Sequence, residues 1–213
     1  MSDGAGLVER ARDAAALKDW RQAFDLLMEA DTDGLLAPTD LPMLGEAAYA
    51  AGQLNVAIEA WERAHTASLQ AGDQVAAAAA AVRVAMHLLF DTGLMAPVRG
   101  WLARAERLLE AQGETPAHAW LAVVRTYERM LAGDVPGARP WARRAIEVGS
   151  RCDPAAGAIG QVAAARLLIL DGPARSGAAR RGRGGDGLRG PGSVLDRGRL
   201  LRAGVRPAGP GAL

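Results

Sequence analysis

The sequence predicts an all-α protein, with residues 1–171 folding as a stack of antiparallel helix pairs and residues 172–213 forming a disordered tail. Three observations carry that expectation. Half of the 213 residues are hydrophobic yet only nine are aromatic, which favours closely packed helices over a β-sandwich. Apolar residues recur at helical spacing through the first 171 positions, and no stretch alternates convincingly with period two. Turn signals punctuate the chain at regular intervals, and similar segments follow them.

The elements follow in order. Turns at Lys18-Asp19, Gly52-Gln53, Thr92-Gly93, Gly133-Asp134 and Asp171-Gly172 each divide a pair into a first and a second helix. First helices are expected to start at Thr39 or Asp40, at Asp73, at Thr115 and at Asp153. Each offers a side-chain oxygen to an orphan amide of the first turn, and Pro42, Pro116 and Pro154 follow where a missing N–H costs nothing. Within 101–109, Trp101, Ala105, Leu108 and Leu109 share one face, and Arg104, Arg107 and Glu110 point elsewhere. The second helices repeat one another. Trp61, Trp101 and Trp141 recur about 40 residues apart, as do Arg63-Ala64, Arg104-Ala105 and Arg144-Ala145. A large side chain filling the gap between neighbouring hairpins accounts for the tryptophans. Four complete hairpins and the first helix of a fifth are expected.

Gly52-x-Leu54-x-x-Ala57-Ile58-x-x-Trp61 resembles the second-helix signature of tetratricopeptide repeats, with a longer unit than that family's usual 34 residues. The runs Lys18-Asp-Trp-Arg-Gln-Ala-Phe24, Asp40-Leu-Pro-Met-Leu-Gly-Glu-Ala-Ala48, Trp61-Glu-Arg-Ala64 and Arg99-Gly-Trp-Leu-Ala-Arg-Ala-Glu-Arg-Leu-Leu109 are similar to the N-terminal helical-repeat region of actinobacterial LuxR-type transcriptional regulators. The resemblance covers roughly residues 5–172. It implies a tetratricopeptide-like α-solenoid serving as the sensing or scaffold part of a regulator. In that family a helix-turn-helix domain follows the repeats, and nothing here matches it, so this chain alone is not expected to bind DNA sequence-specifically.

Charge is unevenly distributed. Residues 1–171 carry a net −6, and residues 172–213 carry +7. The acidic body argues against a folded nucleic-acid surface. The tail is built mainly from Gly, Arg, Ala, Pro and Ser, too poor in apolar residues to offset chain-ordering entropy. Three readings of it stand: out-of-frame sequence from a GC-rich gene, a disordered linker, or an Arg/Gly nucleic-acid-associating segment around Arg180-Arg-Gly-Arg-Gly-Gly185. With GC-rich synonymous codons and a one-base shift, 173–183 can read QLEAALLDEAA, an amphipathic helix. The preceding helix, Pro154 to Leu170, would then lack its hairpin partner and offer an apolar face for self-association.

No constellation points to catalysis, a cofactor or a metal. Cys152 is the only cysteine, which excludes an intramolecular disulfide, and its place beside Asp153-Pro154 suggests a helix N-terminus. His65, His87 and His118 lack a second His or Cys at ligand spacing, and His87 reads as a helix-face residue with a satisfied ring nitrogen. The acidic residues read as solvated i,i+4 partners, with Glu106 and Glu110 beside Arg104 and Arg107. The glycines of the tail form no phosphate loop. Residues 1–6 lack the layout of a secretory signal, and the longest apolar run, Val75 to Val82, is far short of the roughly 20 residues of a membrane span. A cytoplasmic chain without membrane contact is expected. Its function is expected to be non-enzymatic recognition of a protein or peptide in a groove lined by first-helix side chains: Ala47, Tyr49, Arg83, His87, Trp120 and Arg125.

Overall fold

The structure is a computed structural model that describes the backbone of residues 3–181 and the side-chain surroundings of residues 5–171. Among the described residues all regular structure is helical. Nine α-helices follow one another: α1 (Asp3–Ala16), α2 (Trp20–Thr32), α3 (Leu41–Ala50), α4 (Leu54–Gln70), α5 (Gln74–His87), α6 (Met95–Leu109), α7 (Pro116–Leu131), α8 (Val135–Cys152) and α9 (Pro154–Arg181). A 3-10 turn (Pro38–Asp40) leads into α3, and a π-helical turn (Leu88–Thr92) extends α5.

Five turns, joining α1 to α2, α3 to α4, α4 to α5, the π turn to α6, and α7 to α8, share one construction. One residue takes a left-handed φ, namely Lys18 (62°), Gly52 (78°), Gly72 (75°), Gly93 (68°) and Gly133 (77°), and the next residue is the N-cap. Asp19 and Asp134 then accept from the backbone N–H of Gln22 at 3.0 Å and Gly137 at 2.9 Å. Asp73 caps α5 through Ala76 N–H (2.9 Å), and Asp153 caps α9 through Ala155 and Ala156 (3.0 and 3.1 Å). Thr115 caps α7, its N–H donating to Nδ1 of His118 at 3.2 Å. At Asp171-Gly172, where a further turn was expected, α9 instead runs on to Arg181. The rest of the expected tail, 182–213, lies outside the described residues.

Each helix from α1 to α8 packs on its neighbours in sequence, α5 also reaches α7, and α9 lies against α8 through Gly149, Gly157 and Leu167. The buried apolar residues form successive clusters. Leu7, Val8, Leu27 and Leu44 gather α1 to α3; Leu41, Trp61, Ala80 and Val84 join α3 to α5; Val82, Val98, Leu102, Val124 and Val148 carry the core through α5 to α8. The recurring Arg-Ala pairs are divided by burial: Ala64, Ala105 and Ala145 are inside, and Arg63, Arg104 and Arg144 face outward. Small residues let the backbones approach closely. A Cβ on Gly149 of α8 would stand 2.4 Å from the backbone nitrogen of Gly157 in α9. The segment Gln74–Thr92 is long and apolar enough by composition to cross a membrane, but half of that stretch is buried against neighbouring helices here. Its alanines (Ala77, Ala78, Ala81 and Ala85 are all fully buried) fill helix–helix contacts.

Candidate functional site

Helices α3, α5 and α7, together with Trp61 of α4 and the Asp153 N-cap of α9, supply one connected row of polar and aromatic side chains. Arg83 of α5 is its centre. Its Nη2 donates to Oε1 of Glu46 in α3 at 3.3 Å. Its guanidinium carbon lies 5.7 Å from the ring of Trp61 in α4 and 5.4 Å from the ring of Trp120 in α7. The indole N–H of Trp120 in turn donates to Oδ2 of Asp153 at 2.7 Å, so the residue that caps α9 also holds the tryptophan. Arg83 follows Glu46 by 37 residues, and Trp120 follows Arg83 by the same interval.

Between α5, α7 and the start of α9 this row borders a cleft of about 210 Å³. Ala79, Val82, Met86 and Ala117 provide its apolar surface, and Arg83, Trp120 and Asp153 supply the polar part. The arrangement suits an apolar side chain of a peptide whose backbone or flanking charges meet Arg83 and Asp153. One turn further along α5, the ring of His87 lies 4.1 Å from that of Tyr49 in α3. Tyr49 is 44% exposed and His87 only 4%.

The six sequence-derived groove residues therefore divide. Arg83 and Trp120 line the cleft, and Tyr49 stands exposed against His87, which is itself buried and cannot line a groove. Ala47 is fully buried in the α1–α3 core and cannot line a groove. Arg125, five positions after Trp120, turns away from it towards α6. There its Nε and Nη2 donate to the two carboxylate oxygens of Glu106 at 2.7 and 2.9 Å. Glu106 is thus engaged across helices rather than within α6, and Arg104 stacks over Trp101 at 4.6 Å. Glu46, Met86 and Asp153 belong to the face although the sequence reading did not single them out for it. The equal spacing of Glu46, Arg83 and Trp120 was the available signal, hidden because the three residue types differ.

The remaining reactive side chains are occupied structurally. His65 places Nδ1 2.8 Å from the carbonyl of Ala77, and Cys152 is both the last residue of α8 and the residue before the Asp153 cap of α9. No group of three or more His, Cys, Asp or Glu among the described residues is arranged to hold a metal ion. No family model matches the chain, and comparison with curated proteins finds no match.

His87 gives the site a pH dependence. Its Nδ1 is 3.7 Å from Oδ2 of Asp91, longer than a hydrogen bond. Burial pushes the imidazole below the ordinary 6.5, and Arg83 acts the same way against the opposing pull of Asp91. A lowered folded pKa means that the unfolded chain binds the proton first. Stability is then complete above pH 6.5 and falls as the pH drops through that value. His87→Gln should flatten the pH dependence of the urea midpoint between pH 5 and about 7. The carboxylates whose pKa values are lowered, Asp31 beside Arg63 and Glu114 beside Arg151, titrate below this window. An unchanged slope in the variant would remove His87 as its source.

Proposed function

We propose that residues 1–171 act as a non-enzymatic protein-interaction module, a tetratricopeptide-like solenoid of helix pairs that presents the face centred on Arg83 to a protein or peptide. The continuity of Glu46, Arg83, Trp120 and Asp153 across α3, α5, α7 and α9 carries this reading. Three alternate helices and the N-cap of a fourth contribute one side chain each, which is how a repeat protein builds an extended recognition surface. The repeated turn construction and neighbour-on-neighbour packing support the solenoid arrangement. By resemblance, such a module is the sensing or scaffold part of a LuxR-type regulator, and it would reach DNA only through another domain.

A photo-crosslinking amino acid introduced at Tyr49 should capture a discrete partner in cells. The same group at Leu17, 83% exposed beside the first turn, serves as the control. Arg83→Glu in the Tyr49-labelled chain should abolish the product, because it reverses the central charge and loses both ring contacts. Identical products from the two positions, or products indifferent to Arg83→Glu, would overturn the assignment of this face.

A further inference from the structure

We propose that the groove between the N-terminal half of α8 and α9 is a second docking site, which takes an acidic, leucine-faced helix of a partner protein. The groove encloses about 430 Å³ and shares no lining residue with the Arg83 cleft. Its surface is apolar, with Pro136 and Pro140 on the α8 side and Ala164, Leu167 and Leu168 on the α9 side. Leu167 is buried against Ala138 and Ala142, whereas Leu168 is 72% exposed. Past it, Val162, Ile169 and Leu170 are each more than half exposed, and Leu131 of α7 adjoins Ile169 and Leu170. A run of neighbouring aliphatic side chains left this exposed is unusual on a solitary protein and marks an interaction surface. A furrow between two packed helices accepts a third helix through its i, i+3, i+4 and i+7 side chains.

Charge selects the occupant. Arg139 and Arg143 line the groove, and Arg166 borders the adjoining Leu131–Ile169–Leu170 surface, its guanidinium carbon 5.9 Å from the ring of Tyr127. Arg139 pairs with Asp171, and Arg143 has no acidic partner within 4.0 Å among the described residues. A cationic margin on a body of net −6 complements carboxylates on either side of an apolar stripe. A symmetric second copy would instead bring equivalent cationic margins together. The interior proline adds a polar feature: Pro140 has no N–H, so the carbonyl of Pro136 lacks its helical donor and is left for another.

The shifted-frame peptide QLEAALLDEAA has the required chemistry and serves as the probe, with QLKAALLKKAA as its charge-reversed control. Labelled and titrated with the full chain, the acidic peptide should bind saturably, and added salt should weaken it. Arg143→Glu and Leu168→Asp should each lower the affinity at least tenfold, both being surface changes that leave the core intact. The basic peptide should bind at least tenfold more weakly than the acidic one. Trp120→Ala should leave binding unchanged, which separates this groove from the Arg83 face. The proposal is overturned if neither peptide saturates by about 1 mM, if the basic peptide binds equally well, or if Arg143→Glu has no effect. A chain that sediments as a dimer and becomes monomeric in Leu168→Asp would also overturn it, by assigning the face to a second copy.

Discussion

Arg99→Met is expected to destabilise the domain by about 3–5 kcal/mol and to cost more than Glu128→Leu, although both break the same contact. Glu128 of α7 is 98% buried in its side chain, and its one hydrogen bond comes from Nε of Arg99 in α6 at 2.7 Å. Its other oxygen has no hydrogen bond and lies 3.6 Å from Arg125 and 3.5 Å from Arg129. Removing Arg99 leaves a buried carboxylate without a donor. Removing Glu128 leaves less behind: Arg99 and Arg129 are half-exposed and can turn to water, and Arg125 keeps its two bonds to Glu106. The double variant Arg99→Met/Glu128→Leu should therefore recover stability relative to Arg99→Met alone. Urea titrations of the three variants form a complete cycle. If Glu128→Leu proves the more damaging single change, the carboxylate is a net stabiliser of its three arginines and the asymmetry is refuted.

That cluster also marks where sequence reasoning stops. Helix boundaries were legible because their causes are local: Asp73, Thr115 and Asp153 cap the helices they precede, and four turns fall at the Lys18, Gly52, Gly93 and Gly133 signals. The turn expected at Asp171-Gly172 failed for the same reason in reverse. An Asp-Gly pair favours a turn, but α9 continues through it. Partners across helices were not legible. Glu106 looked like an i,i+4 neighbour of arginines on its own helix, and Glu128 gave no sign of being the most enclosed charge. Arg125 and Ala47 shared helices with true face residues, yet their rotation about the axis is fixed by tertiary packing. Uneven repeat lengths blur that phase in a single sequence. His87 shows the limit at a finer scale. The sequence suggests a helix-face and groove residue with a satisfied ring nitrogen, but the side chain is buried and its 3.7 Å contact with Asp91 depends on the π turn at Leu88–Thr92.

Trp61→Ala is expected to be the most damaging of the three tryptophan truncations, at roughly 3–5 kcal/mol. Trp61 is 5% exposed and packs among Leu41, Ala64, Ala80 and Val84, so one side chain joins α3, α4 and α5. Trp101 and Trp141 recur at the same spacing but remain partly exposed, with Trp101 set edge-on to His65 at 5.1 Å. Their alanine variants should cost clearly less. The indole has a polar liability as well, because its buried N–H finds no acceptor. Trp61→Phe removes that donor while keeping most of the apolar contact, so it should cost less than about 1.5 kcal/mol. Gly45 is the complementary half of the joint. A Cβ there would meet the indole nitrogen at 2.5 Å, so Gly45→Ala forces a fully enclosed ring to shift and should cost about 1–3 kcal/mol. The penalty should shrink when position 61 is phenylalanine, whose ring lacks the contacting atom. Additive effects of Gly45→Ala and Trp61→Phe in denaturant titration, or three equal tryptophan truncations, would show that the joint does not depend on this contact.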